Sequence, residues 1–317
     1  MSTGRENNTV VTIGDVNYLW GIFMLIASAR RAGMTEPFLV GAKDFDDRAV
    51  RILEQCGGVT VVPLDHVKRS LTCLKPYVML QAGTQYVTWA DSDAFFTGDV
   101  SELLPPESPE EIHFRLRSAP EMPAAFKGHE LGTGDSLIPA DILAVWRRDV
   151  AEIAGSAAEK ARYATTGSAC FCSLSLRRHR KFLEIWDALQ NRVLPDRNVG
   201  VVDTSLKYYH QLDESTLNAC LNFAPEAPRV QKEFKMDKDP ERLFVHFIAR
   251  PKPWIGWTKR AFRHFDRYVE VAAWAAERGY ELPGPLPDCL KAENKALMRA
   301  LIPWTTLKPK LAKLFRR

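Results

Sequence analysis

Short runs of β-branched and apolar residues alternate with stretches in which apolar positions recur every three or four residues. Val10-Val11-Thr12-Ile13, Phe38-Leu39-Val40 and Val59-Thr60-Val61-Val62 have the length and composition of buried strands. Between them, Leu19, Ile22, Phe23 and Ile26 share one helical face, and Asp46 to Gln55 reads as a second helix. Tyr86 to Ala90, Ser168 to Leu174 and Leu243 to Val245 continue the strands. Helical stripes follow at Phe182, Ile185, Trp186 and Leu189, at Leu217, Cys220 and Leu221, and at Phe262, Phe265, Val269 and Ala273. Strand and helix alternating in this way predict an α/β fold with a mostly parallel sheet and right-handed crossovers. Ligands of such sheets gather at the carboxyl ends of the strands.

Two stretches interrupt the alternation. Residues 105 to 140 carry Pro105, Pro106, Pro109, Pro120, Pro123 and Pro139 and read as a long connector, which we assign to acceptor binding because long connectors often cover sites. Pro283-Gly284-Pro285-Leu286-Pro287 separates a main domain, 1–282, from an extension, 283–317. No internal repeat is present.

Composition narrows the class. At 317 residues and 46% hydrophobic content the chain can bury a full core. The net charge of +4 conceals an asymmetry: residues 294–317 hold seven cations and no acid, so the rest is net negative. A nucleic-acid-binding body is therefore not expected. In the tail, Leu297, Leu301, Trp304, Leu311 and Phe315 mix with Lys295, Arg299, Lys308, Lys310, Lys313, Arg316 and Arg317, which suits either an anionic membrane surface or a solvated helix on the body. The longest apolar run, Tyr18 to Ala29, is too short to span a bilayer, and the N-terminus lacks the order of a secretion signal. A cytoplasmic protein, peripheral at most, is the expectation. The six cysteines have no Cys-x-x-Cys spacing and read as reduced structural residues.

The chemistry concentrates in two places. Asp91-Ser92-Asp93 ends the strand Tyr86–Ala90, so its two carboxylates leave the strand end on one side. His246-Phe247-Ile248-Ala249-Arg250-Pro251-Lys252-Pro253-Trp254 follows a later strand and brings an imidazole and an ammonium. Together they can form a site for a divalent metal and a diphosphate, with Asp91, Asp93 and His246 as metal ligands. Mixed oxygen and imidazole donors favour Mn²⁺ over Mg²⁺. Asp15-Val16-Asn17-Tyr18 after the first strand and Asp213-Glu214-Ser215-Thr216-Leu217-Asn218 at a helix start complete the set. Asp15 and Asn17 also suit a helix cap, and Asp213 and Glu214 suit a helix N-terminus by charge alone.

These four segments, in this order over residues 10 to 257, resemble the metal-dependent nucleotide-sugar glycosyltransferases of GT-A fold. The resemblance is to the retaining group that includes glycogenin and the bacterial lipopolysaccharide galactosyltransferases, glycosyltransferase family 8. It implies a Rossmann-like α/β/α sandwich with a mixed, mostly parallel central sheet, to which the charge pattern adds a basic C-terminal helical tail, and transfer of a hexose from a nucleotide sugar, UDP-glucose or UDP-galactose, to a glycan, lipid-linked or small hydroxyl acceptor. It further implies base and ribose contacts for Asp15, Asn17 and Tyr18, and donor contacts for Lys75, Ser92 and Lys252. By the same resemblance Glu214 lies beside the anomeric carbon and Asp213 orients a sugar hydroxyl. The chain departs from the family pattern at Ala249, where a glycine is usual, at Arg250 after it, and at Ser215; Thr165-Thr166-Gly167 stands where the family has Asn-x-Gly. A Cβ at Ala249 is expected to push the loop outward, with Arg250 supplying a compensating charge.

Two other readings use the same residues: a nucleotide-sugar-binding protein without chemistry, suggested by the departures, and a metal-dependent phosphohydrolase. A Ser-His-Asp constellation, a phosphate-binding Gly-Lys-Ser/Thr loop and a dinucleotide glycine fingerprint are all missing.

Overall fold

A computed structural model describes residues 7–126, 128–194, 203, 205–237 and 242–314, with side chains as far as Trp304 in the last segment. Nine strands and nine α-helices are present among them. The strands are β1 (Asn8–Asp15), β2 (Phe38–Lys43), β3 (Val59–Pro63), β4 (Tyr86–Ala90), β5 (Ala94–Phe96), β6 (Glu111–Leu116), β7 (Gly167–Ser175), β8 (Arg229–Val230) and β9 (Phe244–His246). The helices are α1 (Leu19–Arg31), α2 (Asp47–Glu54), α3 (Lys75–Met79), α4 (Met122–Ala125), α5 (Ala140–Ala154), α6 (Leu176–Val193), α7 (Asp213–Phe223), α8 (Phe265–Glu277) and α9 (Lys295–Leu314).

Seven strands form one sheet in the order β3-β2-β1-β4-β7-β6-β8. Only β7 runs against its neighbours. Successive residues of a strand face opposite layers: Val10 and Val40 pack with α1, α2 and α8, whereas Val11 and Leu39 pack with α3, α5, α6 and α7. Both faces are thus covered, which is why the parallel strands read as continuous apolar runs rather than alternating ones. Chain order reverses between β1 and β4, so their carboxyl ends diverge and leave a crevice there.

A second, two-stranded ribbon pairs β5 with β9 in antiparallel register, Ala94 opposite His246 and Phe96 opposite Phe244. Its far side sits on aromatic rings. Phe95 stacks on Phe247 at 5.6 Å, and Tyr268 of α8 meets Phe247 edge-on at 5.3 Å. Each such pair adds about 0.5–1.5 kcal/mol beyond its buried area.

Two sequence expectations change. Residues 105–140 are not one connector: β6 lies inside them, Ile112 and Phe114 buried, with α4 beyond. Prolines on both sides of the strand hid a short alternation of apolar and polar residues. In α8, Ala273 is exposed, and Ala272 and Ala275 take the core positions. Beyond the main-domain boundary, Cys289, Leu290 and Met298 are buried in the same core as α1 and α8. Phe315, Arg316 and Arg317 of the basic tail lie outside the described residues, as do the side chains of residues 305–314. No helix among the described residues is long and apolar enough to cross a membrane.

Candidate active site

The crevice between β1 and β4 opens into a cavity of about 950 Å³. Asp15, Asn17, Tyr18, Lys75, Asp91, Ser92, Asp93, Asp213, Glu214, His246 and Lys252 all line it. The proposed metal, donor and acid residues therefore line one space.

Backbone pairing brings the acids to the imidazole. The Asp91 amide donates to the Cys170 carbonyl at 3.0 Å, continuing the β4–β7 ladder by one residue, and the Phe247 amide donates to the Asp93 carbonyl at 2.9 Å, continuing the β5–β9 ribbon. Asp91 and Asp93 then divide their oxygens in the same way. Asp91 Oδ1 accepts from Lys75 Nζ at 2.7 Å and from Trp89 Nε1 at 2.8 Å, and Asp93 Oδ2 accepts from Lys252 Nζ. The remaining oxygens face His246 Nε2, at 3.4 Å for Asp91 Oδ2 and 3.1 Å for Asp93 Oδ1. Neighbouring donors of a single cation with bonds of about 2.1 Å stand about 3 Å apart, so these three atoms have the spacing and chemistry to hold a divalent metal.

Charge stabilises the arrangement. Burial opposes ionisation of Asp93, but His246 and Lys252 outweigh it and hold the carboxyl well below the usual carboxylate range. For His246 burial favours the neutral ring, yet Asp93 keeps its proton affinity well above the ordinary value.

The opposite wall carries the second pair of acids. Lys75 Nζ lies 2.7 Å from Asp213 Oδ2 as well as from Asp91, and also donates to the Ala169 carbonyl. Burial disfavours its charge, but Asp213 and Asp91 together hold the ammonium above its ordinary pKa. Glu214 Oε1 accepts from Arg117 Nη2 at 2.6 Å. Burial raises the pKa of both Asp213 and Glu214, against the pull of Lys75 and Arg117 respectively. The acids are presented by a strained backbone: buried Leu212, just before them, has φ of 50° and ψ of −118°, an unfavourable region for a side-chain-bearing residue. Asn218, one turn on, ties α7 to β7 by exchanging hydrogen bonds with both the amide and the carbonyl of Gly167. Gly167 admits no substituent, since a Cβ there would lie 2.2 Å from the Arg115 carbonyl oxygen.

On the third side, Asp15 accepts from the Asn17 amide at 3.0 Å, so it caps the short turn and lines the cavity at once. The Tyr18 ring meets Trp254 edge-on at 5.7 Å, and the Trp254 indole donates to the Asn17 carbonyl. Gly21 of α1 makes this packing possible, because a Cβ would stand 2.3 Å from the Ser92 carbonyl oxygen and 2.6 Å from the Trp254 ring. Burial raises the Tyr18 pKa, with Asp93 acting the same way and Arg250, hydrogen-bonded to the hydroxyl, opposing both. Ala249 is exposed and does not have a positive φ.

The fold built around this cavity has a counterpart among solved structures. The apo structure of WbbM, a bifunctional glycosyltransferase, matches with a TM-score of 0.56 at 15% identity over 86% of this chain. The chain has the GT-A fold. It spans about half of that structure, 51% of its length. Glycosyltransferases that match at lower similarity include GlyE of Streptococcus pneumoniae, with a TM-score of 0.49, 15% identity and coverage of 88% of this chain and 66% of that one. The galactosyltransferase LgtC, solved with donor and acceptor sugar analogues, gives 0.48 and 13% over 86% of this chain and 100% of its own. No protein-family model and no curated protein sequence matches the chain.

Arg117, Trp89, Ser168, Cys170 and Gln211 also line the cavity and were not picked out from the sequence. Arg117 follows β6 directly, so recognising that strand would have placed it at a sheet edge. Trp89 was read only as a strand residue, although its indole fixes Asp91.

Proposed function

We propose that this protein is a metal-dependent glycosyltransferase that moves a hexose from UDP-glucose or UDP-galactose to an acceptor hydroxyl with retention. One observation carries the reading: two carboxylates and an imidazole converge on a single point in a cavity whose facing wall holds a second pair of acids. Asp91, Asp93 and His246 would hold the cation, and the mixed donor set suits Mn²⁺ better than Mg²⁺. When bound, such an ion neutralises charge on a departing diphosphate. Lys252 and Arg250, at the same end of the cavity, add positive charge for that group. Asp15, Asn17 and Tyr18 offer hydrogen-bonding groups and a ring edge to the base and ribose, and Lys75 and Ser92 line the path between the two. Glu214 places negative charge where positive charge develops at the anomeric carbon, and Asp213 orients a sugar hydroxyl. The protein would act on the cytoplasmic side of a membrane, with residues 294–317 on an anionic surface, a reading supported by exposed Leu297, Leu301 and Trp304 on one side of α9.

The test is UDP release from UDP-glucose and UDP-galactose with Mn²⁺, comparing the parent with Asp93→Asn. Loss of roughly a hundredfold or more in turnover is expected, because several kcal/mol of charge stabilisation depend on that ligand. If no nucleotide sugar binds or reacts with the parent, the donor assignment fails. Mn²⁺-dependent UDP binding without turnover on a broad acceptor panel would leave a binding protein.

A further inference from the structure

Large apolar side chains that are strongly exposed among the described residues are Val16, Ile248, Ile255, Leu297, Leu301 and Trp304. They are not scattered. Ile248 and Ile255 line the cavity, and Val16 lies in the chain between Asp15 and Asn17, which also line it. Leu297, Leu301 and Trp304 share one side of α9 at spacings of four and three residues. Leu301 and Ile255 both line a groove of about 300 Å³, walled also by Trp254, Trp257, Cys289 and Met298 among others. Trp254 and Ile255 line both the groove and the cavity, so the two spaces adjoin along a shared wall.

The groove wall is mostly apolar. Its two indoles have committed their N–H groups inward, Trp254 to the Asn17 carbonyl and Trp257 to the Cys289 carbonyl at 2.8 Å. Asp288, the one carboxylate on the wall, is paired with Lys291 at 2.6 Å. A polar occupant would find its hydrogen bonds poorly matched there, whereas an alkyl chain would lose nothing. Concave, mostly apolar surface beside a polar cavity is a common setting for ligand binding.

We propose that this groove holds the hydrocarbon chain of an amphiphilic acceptor whose hydroxyl-bearing head enters the cavity mouth; the head-group part rests on the glycosyltransferase reading. The chain runs between the Trp254–Trp257 segment and α9. It is a single-molecule site, distinct from adhesion to a bilayer.

The experiment titrates the full-length protein with n-alkyl β-D-glucosides from methyl to octyl, each below its micelle concentration and without vesicles, with Mn²⁺ and UDP present. Affinity should rise about fourfold for each methylene that enters the groove. Leu301→Asp should abolish this dependence, and Ile255→Ser, on the other wall, should weaken it. Leu297→Ser, outside the groove wall, should retain it. Thermal melts exclude misfolding of any variant. An affinity independent of chain length in the parent, or an unchanged dependence in Leu301→Asp, overturns the proposal. So does a dimer in sedimentation that octyl glucoside or Leu301→Asp dissociates, because the groove would then hold a second copy. Failure of UDP to bind the parent would instead refute the donor reading, and the chain-length series would still report on the groove.

Discussion

Replacing Lys75 by methionine keeps a long side chain at the start of α3 and deletes the charge that joins the two acidic walls of the cavity. The ammonium is 2.7 Å from one oxygen each of Asp91 and Asp213 and is only 6% exposed. Those oxygens are therefore at most about twice that distance apart. Like charges about 5 Å apart repel by about 3 kcal/mol at an effective dielectric constant of about 20. Leaving buried carboxylates without their partner is expected to destabilise the fold by about 3–5 kcal/mol at neutral pH. In a chain of this size that lowers the melting temperature by roughly 5–8 °C. The loss should depend on pH with a definite sign. Burial already holds the Asp213 pKa above 3.8, Lys75 opposes that rise, and its removal drives the pKa higher. A carboxyl whose pKa is raised by folding contributes stability below its unfolded value and loses it as pH climbs through the folded value. The variant's deficit should accordingly be smaller at pH 5 than at pH 8, read by urea denaturation at both. Lys75→Met/Asp213→Asn, which removes one of the stranded charges, should recover a good part of the loss. Equal deficits at the two pH values, with no recovery in the double variant, would refute the bridging role.

Gly21→Ala should destabilise the protein by about 1–3 kcal/mol and weaken Mn²⁺-dependent UDP binding, since the added methyl meets a backbone oxygen that cannot turn aside; calorimetric titration with unchanged affinity would contradict this. Apparent Mn²⁺ affinity should increase with pH across the neutral range. His246 holds its proton well above pH 6.5 because of Asp93, and a cation on Nε2 must displace it. Titrations in buffers of different ionisation heat should show close to one proton released, and a pH-independent affinity would remove His246 from the ligand set.

The sequence carried the fold where strands are buried on both faces, because runs such as Val10–Ile13 and Val59–Val62 have no other stable use. It failed at β6, where only six residues between proline-rich flanks form a strand, and periodicity over so short a span is weak. The acids and the imidazole were legible because their residue types suit few other roles in that order. Arg117 was not, since a lone arginine after an unrecognised strand looks like surface. Nor could periodicity show that Lys75 reaches both acidic walls, or that Ala249 is exposed. Those facts depend on how distant segments meet in space.

The ribbon of β5 and β9 has a bearing on how this molecule can diversify. Three paired residues per strand, rather than the intervening chain, set the distance from His246 to the acids. Loops between Phe96 and Phe244 can lengthen or shrink without moving the chelating atoms, whereas one residue inserted within the ribbon would turn the imidazole to its opposite face. Variation in the surrounding loops is thereby decoupled from the spacing between the imidazole and the two carboxylates.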